Sequence, residues 1–164
     1  MPFRYYEKLK PWQKEIYLKS DSITSLPIAE PEGLFPLIKG LEDSLKKEDR
    51  LSIERFSQAI VRALSERFHV SLIKVKVLQV RPSNHYGELH GLYYPKRGSG
   101  MALMILWIRT AKFGRIVAFK TFLRTLLHEF CHHLDYELFN LPESFHTEGF
   151  YKRESHLLHQ LMKY

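Results

Sequence analysis

Between Val117 and Phe139 the chain runs without a proline or a glycine, and Phe119, Leu123, Leu126, Phe130 and Leu134 follow one another at steps of three and four residues. That spacing predicts one long amphipathic helix, because residues three and four apart share a face. At about 100° per residue the five apolar positions form one side of the helix, and His128 and His132, four apart, fall roughly opposite. Thr121, Thr125 and Asp135 share the histidines' side. The two imidazoles are therefore not ordinary core residues; they belong to a solvated face or to a site.

The stretch "HEFCH" (128–132) separates these two cases. At the His and Glu content of this chain, HExxH would arise by chance about 0.04 times, so coincidence is a poor account of it. Two imidazoles at i and i+4 on a helix reach one Zn2+, and the acid beside the first can take the proton of an attacking water. Zinc held by three protein ligands keeps a position open for water and polarises a bound carbonyl. His128 and His132 are thus expected to bind the metal and Glu129 to act as general base, passing its proton on to a leaving amine.

The rest of the chain supplies a body for this helix. With 164 residues, 45% apolar and 26% charged, it fits a single domain with a real core. Residues 1–20 carry a short helix around Trp12 to Leu18, and "SDSITSLPIAEPEG" reads as an extended connector, since each proline disfavours helix in the residue before it. Residues 1–33 are therefore an N-terminal extension and connector, and 34–164 the core. Leu34, Leu37, Ile38, Leu41 and Leu45 mark one helix, and Phe56, Ile60, Ala63 and Leu64 a second. "VSLIKVKVLQV" (70–80) switches to strand alternation, with Ile73, Val75 and Val77 on one face and Lys74 and Lys76 on the other. "GELHGLYYP" and "MALMILWIR" are further strand candidates between the turns "SNHYG" and "PKRGSG" and the later Gly114; the second is apolar enough that period alone does not separate strand from buried helix. The fold class is α+β, with a small antiparallel or mixed sheet, the motif helix and a C-terminal helix.

The third metal ligand has two candidates. A helix from Thr147 to Met162 puts Phe150, Leu157 and Leu161 on one stripe with Glu154 among them, and a buried carboxylate needs a partner. His146 and Glu154 are eight residues apart, about 12 Å along one straight helix, so both cannot bind one zinc. "HEFCH" and "HTEGFY", with 13 residues between them, resemble the HExxH…HxxxF(Y/W) pattern of the SprT-like and WLM-type zincin metallopeptidases. The resemblance spans about residues 88–162. It implies a compact zincin-like metallopeptidase domain holding Zn2+ on His128, His132 and His146, with Glu129 as base and Phe150 as a packing aromatic one turn after the third ligand. It also implies that "MALMILWIR" lines the cleft as the strand whose backbone holds an extended peptide. A Glu 22 residues after His132 is similar instead to the gluzincin arrangement, with Glu154 as third ligand.

Other residues are secondary candidates. Asp135, three residues after His132, is placed to bond a ligand's second ring nitrogen or to be a solvated acid. Cys131 reads as a small packing residue, His133 lies on the helix flank, and His156 and His159 read as solvated. Tyr93, Tyr94 and Tyr151 are possible oxyanion donors. The N-terminus "MPFRYYEKLKPWQKEIY" lacks the apolar run of a signal peptide and the one cysteine has no intrachain partner, so a reducing, cytoplasmic setting is expected. No apolar run approaches the ~18 residues that span a bilayer. The expected partner is a peptide or protein substrate, with "AEPEGLFPLI" as a candidate self-inhibiting segment. A net charge of +7 keeps weak nucleic-acid contact open, but the basic residues are scattered. The rival functions are a zinc-stabilised nucleic-acid-binding module without hydrolytic activity, and a metal hydrolase acting on bonds other than peptides.

Overall fold

A computed structural model describes residues 2–84 and 87–164; His85 and Tyr86, in the turn expected at "SNHYG", lie outside the described residues. The chain is α+β. Helices α1 (Pro11–Ser22), α2 (Phe35–Lys46) and α3 (Arg50–Phe68) come first. They are followed by strands β1 (Ile73–Val80), β2 (Ser83–Asn84), β3 (Gly87–Glu88), β4 (Gly91–Tyr94) and β5 (Ala102–Arg109), then α4 (Phe119–Glu137) and α5 (Glu148–Leu161). The main sheet has the order β1-β5-β4 and is mixed, since β5 runs parallel to β1 and antiparallel to β4. β2 and β3 form a separate two-stranded ribbon.

The β1 alternation holds: Ile73, Val75 and Val77 are buried and Lys74 and Lys76 exposed. Their partners Ala102, Met104 and Leu106 in β5 extend the same buried face. "MALMILWIR" is a strand, not a helix, and its unbroken apolarity follows from its place. Its core face is buried throughout, and on the other face Trp107 is buried while Leu103 and Ile105 are half-buried. The core continues from this face through Leu64 of α3 and Leu126 and Phe130 of α4 to Leu157 of α5.

The two edges of the sheet are treated oppositely. Along β1, side chains of α3 occupy the free backbone groups: Gln58 bonds Ile73 O and Val75 N, Glu54 accepts from Val77 N, and Arg50 donates to Val77 O. That edge is closed to further strands. The outer edge of β4 has no such cover among the described residues, and it faces α4.

The N-terminal region is more than a loose extension. Leu26 and Ile28 belong to the core and Tyr17 is fully buried, so the core begins before residue 34. Of the expected extended connector only residues 23–30 are free of helix, since α1 runs on to Ser22 and Pro31–Leu34 form a 3-10 turn, and α5 holds this stretch at intervals: Leu26 N donates to His156 Nδ1 and Ile28 N to Gln160 Oε1. His156 is thus a structural anchor, while His159 is exposed. Within "AEPEGLFPLI", Leu34 and Ile38 are core residues, and none of the segment lines the cleft described below. The expectation of a self-inhibiting segment fails because its apolar residues are used up in the core.

Candidate metal centre

The long Pro- and Gly-free run forms α4, and its two faces divide as the spacing predicts. Leu123, Leu126, Phe130 and Leu134 are buried and Phe119, at the start of the helix, is half-buried against the core, while His128 and His132 open onto a cleft of about 690 Å3. α4 makes one wall and β4 the other, and the segment between α4 and α5 closes one side. Thr147 caps α5, its hydroxyl accepting from Phe150 N at 2.9 Å, and this fixes where His146 leaves the loop.

Three imidazoles converge in this cleft. His146 Nε2 lies 3.1 Å from His128 Nε2 and 2.9 Å from His132 Nε2. Among the described residues His128, His132 and His146 form the group of His, Cys, Asp and Glu able to hold one ion, with ligand atoms all within 4.8 Å. The Phe150 ring packs against all three, its centroid 4.8 to 5.3 Å from theirs, which is the place expected for it.

The second ring nitrogens decide what the converging atoms are. Glu154 Oε1 lies 2.6 Å from His128 Nδ1, so that nitrogen carries the proton and donates it. His132 Nδ1 lies 2.7 Å from Ser144 Oγ, whose own hydroxyl donates to Asp135 Oδ2 at 2.7 Å. Ser144 therefore accepts from His132, and His132 Nε2 is left as a lone pair too. A proton on His146 Nε2 could serve one of these two acceptors but not both. A cation would satisfy all three, and tetrahedral Zn–N bonds of 2.0–2.1 Å would set such nitrogens about 3.3 Å apart, near the 3.1 and 2.9 Å from His146 to its two neighbours. Nitrogen donors of this kind suit zinc and its neighbours, not magnesium or calcium.

The surroundings disfavour a charge on two of the three imidazoles. Burial lowers the His132 pKa to about 3, helped by His128 and His146, and burial likewise lowers that of His146. Glu129 points into the same cleft and is only 7% exposed. Burial pushes its carboxyl from the ordinary 4.5 up to about 7, the neighbouring His128 opposing and Glu154 adding to the rise.

Glu154 is the main surprise. Instead of joining the three nitrogens it lies behind His128, 4% exposed, with Oε2 accepting from Arg124 at 2.9 Å. The carboxylate that the stripe on α5 left without a partner has two. Asp135 is neither a direct partner of a ligand nor a solvated acid; it is fully buried, reaches His132 through Ser144, and pairs with Arg153 at 2.9 Å. His133, on the flank of the helix, is a buried structural residue: it donates from Nε2 to Ser71 O and accepts at Nδ1 from the Tyr93 hydroxyl, at 2.7 Å each. That bond takes the Tyr93 hydroxyl away from the cleft, and Tyr94 does not line it; Tyr151 does, its ring 5.8 Å from that of His146. Cys131 is buried in the core, as expected of a packing residue.

Ser144, Arg124 and Arg153 had no sequence signal of their own. Ser144 lies in an irregular loop, and the two arginines sit on helices where a solvated cation is the ordinary expectation. The cleft-lining strand is β4, not β5: β5 is held on both edges by β1 and β4 and has no free backbone to offer. Among the described residues no helix is long and apolar enough to cross a membrane. Comparison of the chain with protein-family models, with curated proteins and with solved structures finds no match, so a functional reading rests on the geometry of this cleft.

Proposed function

We propose that the chain is a zinc-dependent peptidase of the SprT-like or WLM-type zincin group, with His128, His132 and His146 as ligands and Glu129 as general base. One observation carries this: three converging imidazole nitrogens, a buried carboxyl beside them and an uncovered strand edge share a single cleft. When bound, zinc supplies a Lewis acid that polarises a carbonyl and makes a water molecule more acidic. The remaining work falls to the protein. Glu129 takes the proton of the attacking water and delivers it to the leaving amine nitrogen. Glu154 and Ser144 hold two imidazoles in the tautomer that presents Nε2 to the cleft. The outer backbone of β4 binds an extended peptide as an added strand, which sets the scissile bond along the row of histidines. The closure of the β1 edge by Arg50, Glu54 and Gln58 leaves β4 as the edge of the main sheet open to such pairing.

The test is hydrolysis of an unfolded protein by the full chain loaded with one zinc per molecule, with products mapped by mass spectrometry. Internal cleavage that stops with a chelator and returns with zinc is the expected result. A zinc-loaded chain that leaves the polypeptide intact would overturn the peptidase assignment.

Gly91 offers a finer check. A Cβ there would lie 2.8 Å from Thr125 Cγ2, 3.2 Å from Glu129 Cγ and 3.3 Å from Leu106 Cδ2, so β4 approaches α4 this closely because residue 91 has no side chain. Gly91→Ala should displace Thr125 and, by a few tenths of an ångström, Glu129, neither of which is among the three histidines. The expected outcome is unchanged zinc content with kcat lowered by about 10- to 100-fold, measured side by side.

A further inference from the structure

The metal centre is held from outside the cleft by the N-terminal segment. Residues 143–147 carry Ser144 and His146 and have no regular structure of their own. Tyr5 Oη donates to the His146 carbonyl at 2.8 Å, and Gln13 Nε2 lies 3.3 Å from the Glu143 carboxylate. The Tyr17 ring packs on Phe145 with centroids 6.2 Å apart, and Ser20 Oγ lies 3.2 Å from Thr147 Oγ1. Gly149 N donates to Asp21 Oδ1 at 3.0 Å, and a Cβ at Gly149 would fall 2.4 Å from Asp21 O, so the end of α1 sits directly on the start of α5.

A second route runs through the interior. Arg153, fully buried, donates to Ser20 O and Ile23 O at 2.6 Å each and, on its other side, to Asp135 Oδ1 at 2.9 Å. Asp135 orients Ser144, and Ser144 orients His132. The segment thus reaches His146 through its backbone and His132 through a chain of three side chains. His128 is held without it, by Glu154 and Arg124 on α5 and α4.

We infer that residues 3–23 are a positioning element of the metal centre: docking of the N-terminal segment and binding of the metal favour one another. This rests on the three histidines being a metal site, and it needs no hydrolytic activity. Coupling between two binding events is reciprocal, so metal must tighten the segment by as much as the segment tightens the metal. Contacts that were only structural would lower the stability of the metal-free protein and leave the affinity of the folded protein unchanged.

The experiment uses the full chain carrying Tyr5→Phe with Asp21→Ala, both at half-buried positions, so that Tyr17, Ser20 and Arg153 stay in place. Zn2+ affinity is read by competition with a chromophoric chelator at a temperature where both proteins are folded, and Co2+ absorption reports the ligand geometry. The double variant should bind Zn2+ about 10- to 100-fold more weakly, the usual cost of removing support from metal ligands. Tyr5→Phe with Asp21→Asn, which keeps the acceptor for Gly149 N, should recover part of that loss. In the wild type, Zn2+ should slow amide exchange in residues 11–22 as well as in 143–149. Equal affinity of the double variant and wild type, or protection confined to 143–149, would overturn the inference. A wild-type chain that binds no Zn2+ would instead remove the metal centre on which it rests.

Discussion

Glu129→Gln should leave one zinc per chain in place and lower kcat for peptide hydrolysis by about 10²- to 10⁴-fold, the range that a positioned general base supplies. Gln keeps the shape of the side chain that lies beside Gly91, so the cleft should be unchanged, but it cannot take a proton. The same substitution has a second, independent signature in the metal-free protein. A carboxyl raised from 4.5 to about 7 by burial holds its proton more tightly when the chain is folded. It therefore costs stability as pH rises from about 4.5 through 7, and the full cost stands above that window. A shift of this size corresponds to a cost on the order of 3 kcal/mol. Metal-free Glu129→Gln should then be more stable than metal-free wild type at pH 8, and the gap should close near pH 4, as measured by denaturant unfolding at both pH values. Loss of activity joined to a gain of stability is what a residue kept for chemistry shows; loss of both would point to a packing role.

The sequence and the structure agree where local periodicity carried the information. The α4 stripe, the Ile73, Val75, Val77 alternation and the α5 stripe with Thr147 before it all rest on contacts within one element, and each appears at the expected positions. Agreement ends where a residue's partner is distant in the chain. Glu154 was legible as a buried acid in need of a partner, but nothing local says that the partner is His128, 26 residues away. Asp135 lies on the histidines' side of the helical wheel and is nonetheless fully buried, because α5 and the preceding loop cover that end of α4 with Arg153 and Ser144. His133 likewise finds Ser71 and Tyr93 across the fold.

The identity of the cleft strand has the same origin. "MALMILWIR" is the stronger strand signal and lies nearer to α4 in the chain, but β1 and β4 occupy both of its edges, which the apolarity of its faces does not report. Such a strand has no backbone left for a substrate. The weaker "GLYY" segment, with Gly91 and Tyr93 turned toward α4, forms the edge. Signal strength in a sequence therefore tracks burial, and the strand that lines the cleft is one of the less buried ones.

His146→Ala should reduce bound zinc to well below one per chain, whereas Glu154→Gln should retain it with affinity weakened by about 10- to 100-fold. The difference follows from which side of an imidazole each residue meets. His146 Nε2 stands among the converging nitrogens, so its loss leaves two ligands on one helix. Glu154 meets His128 at Nδ1, on the far side of the ring, and there a Gln oxygen still accepts the same proton while losing the charge that makes the ring a stronger donor to metal. Arg124, left facing a neutral amide, is 43% exposed in its side chain and can turn to water, so Glu154→Gln does not strand a buried cation. Elemental analysis of both variants, after purification with zinc supplied, separates the two arrangements. Zinc kept by His146→Ala and lost by Glu154→Gln would mean that Glu154 leaves Nδ1 of His128 to bind the ion itself, and the cleft would then be a two-histidine, one-glutamate site of the gluzincin kind.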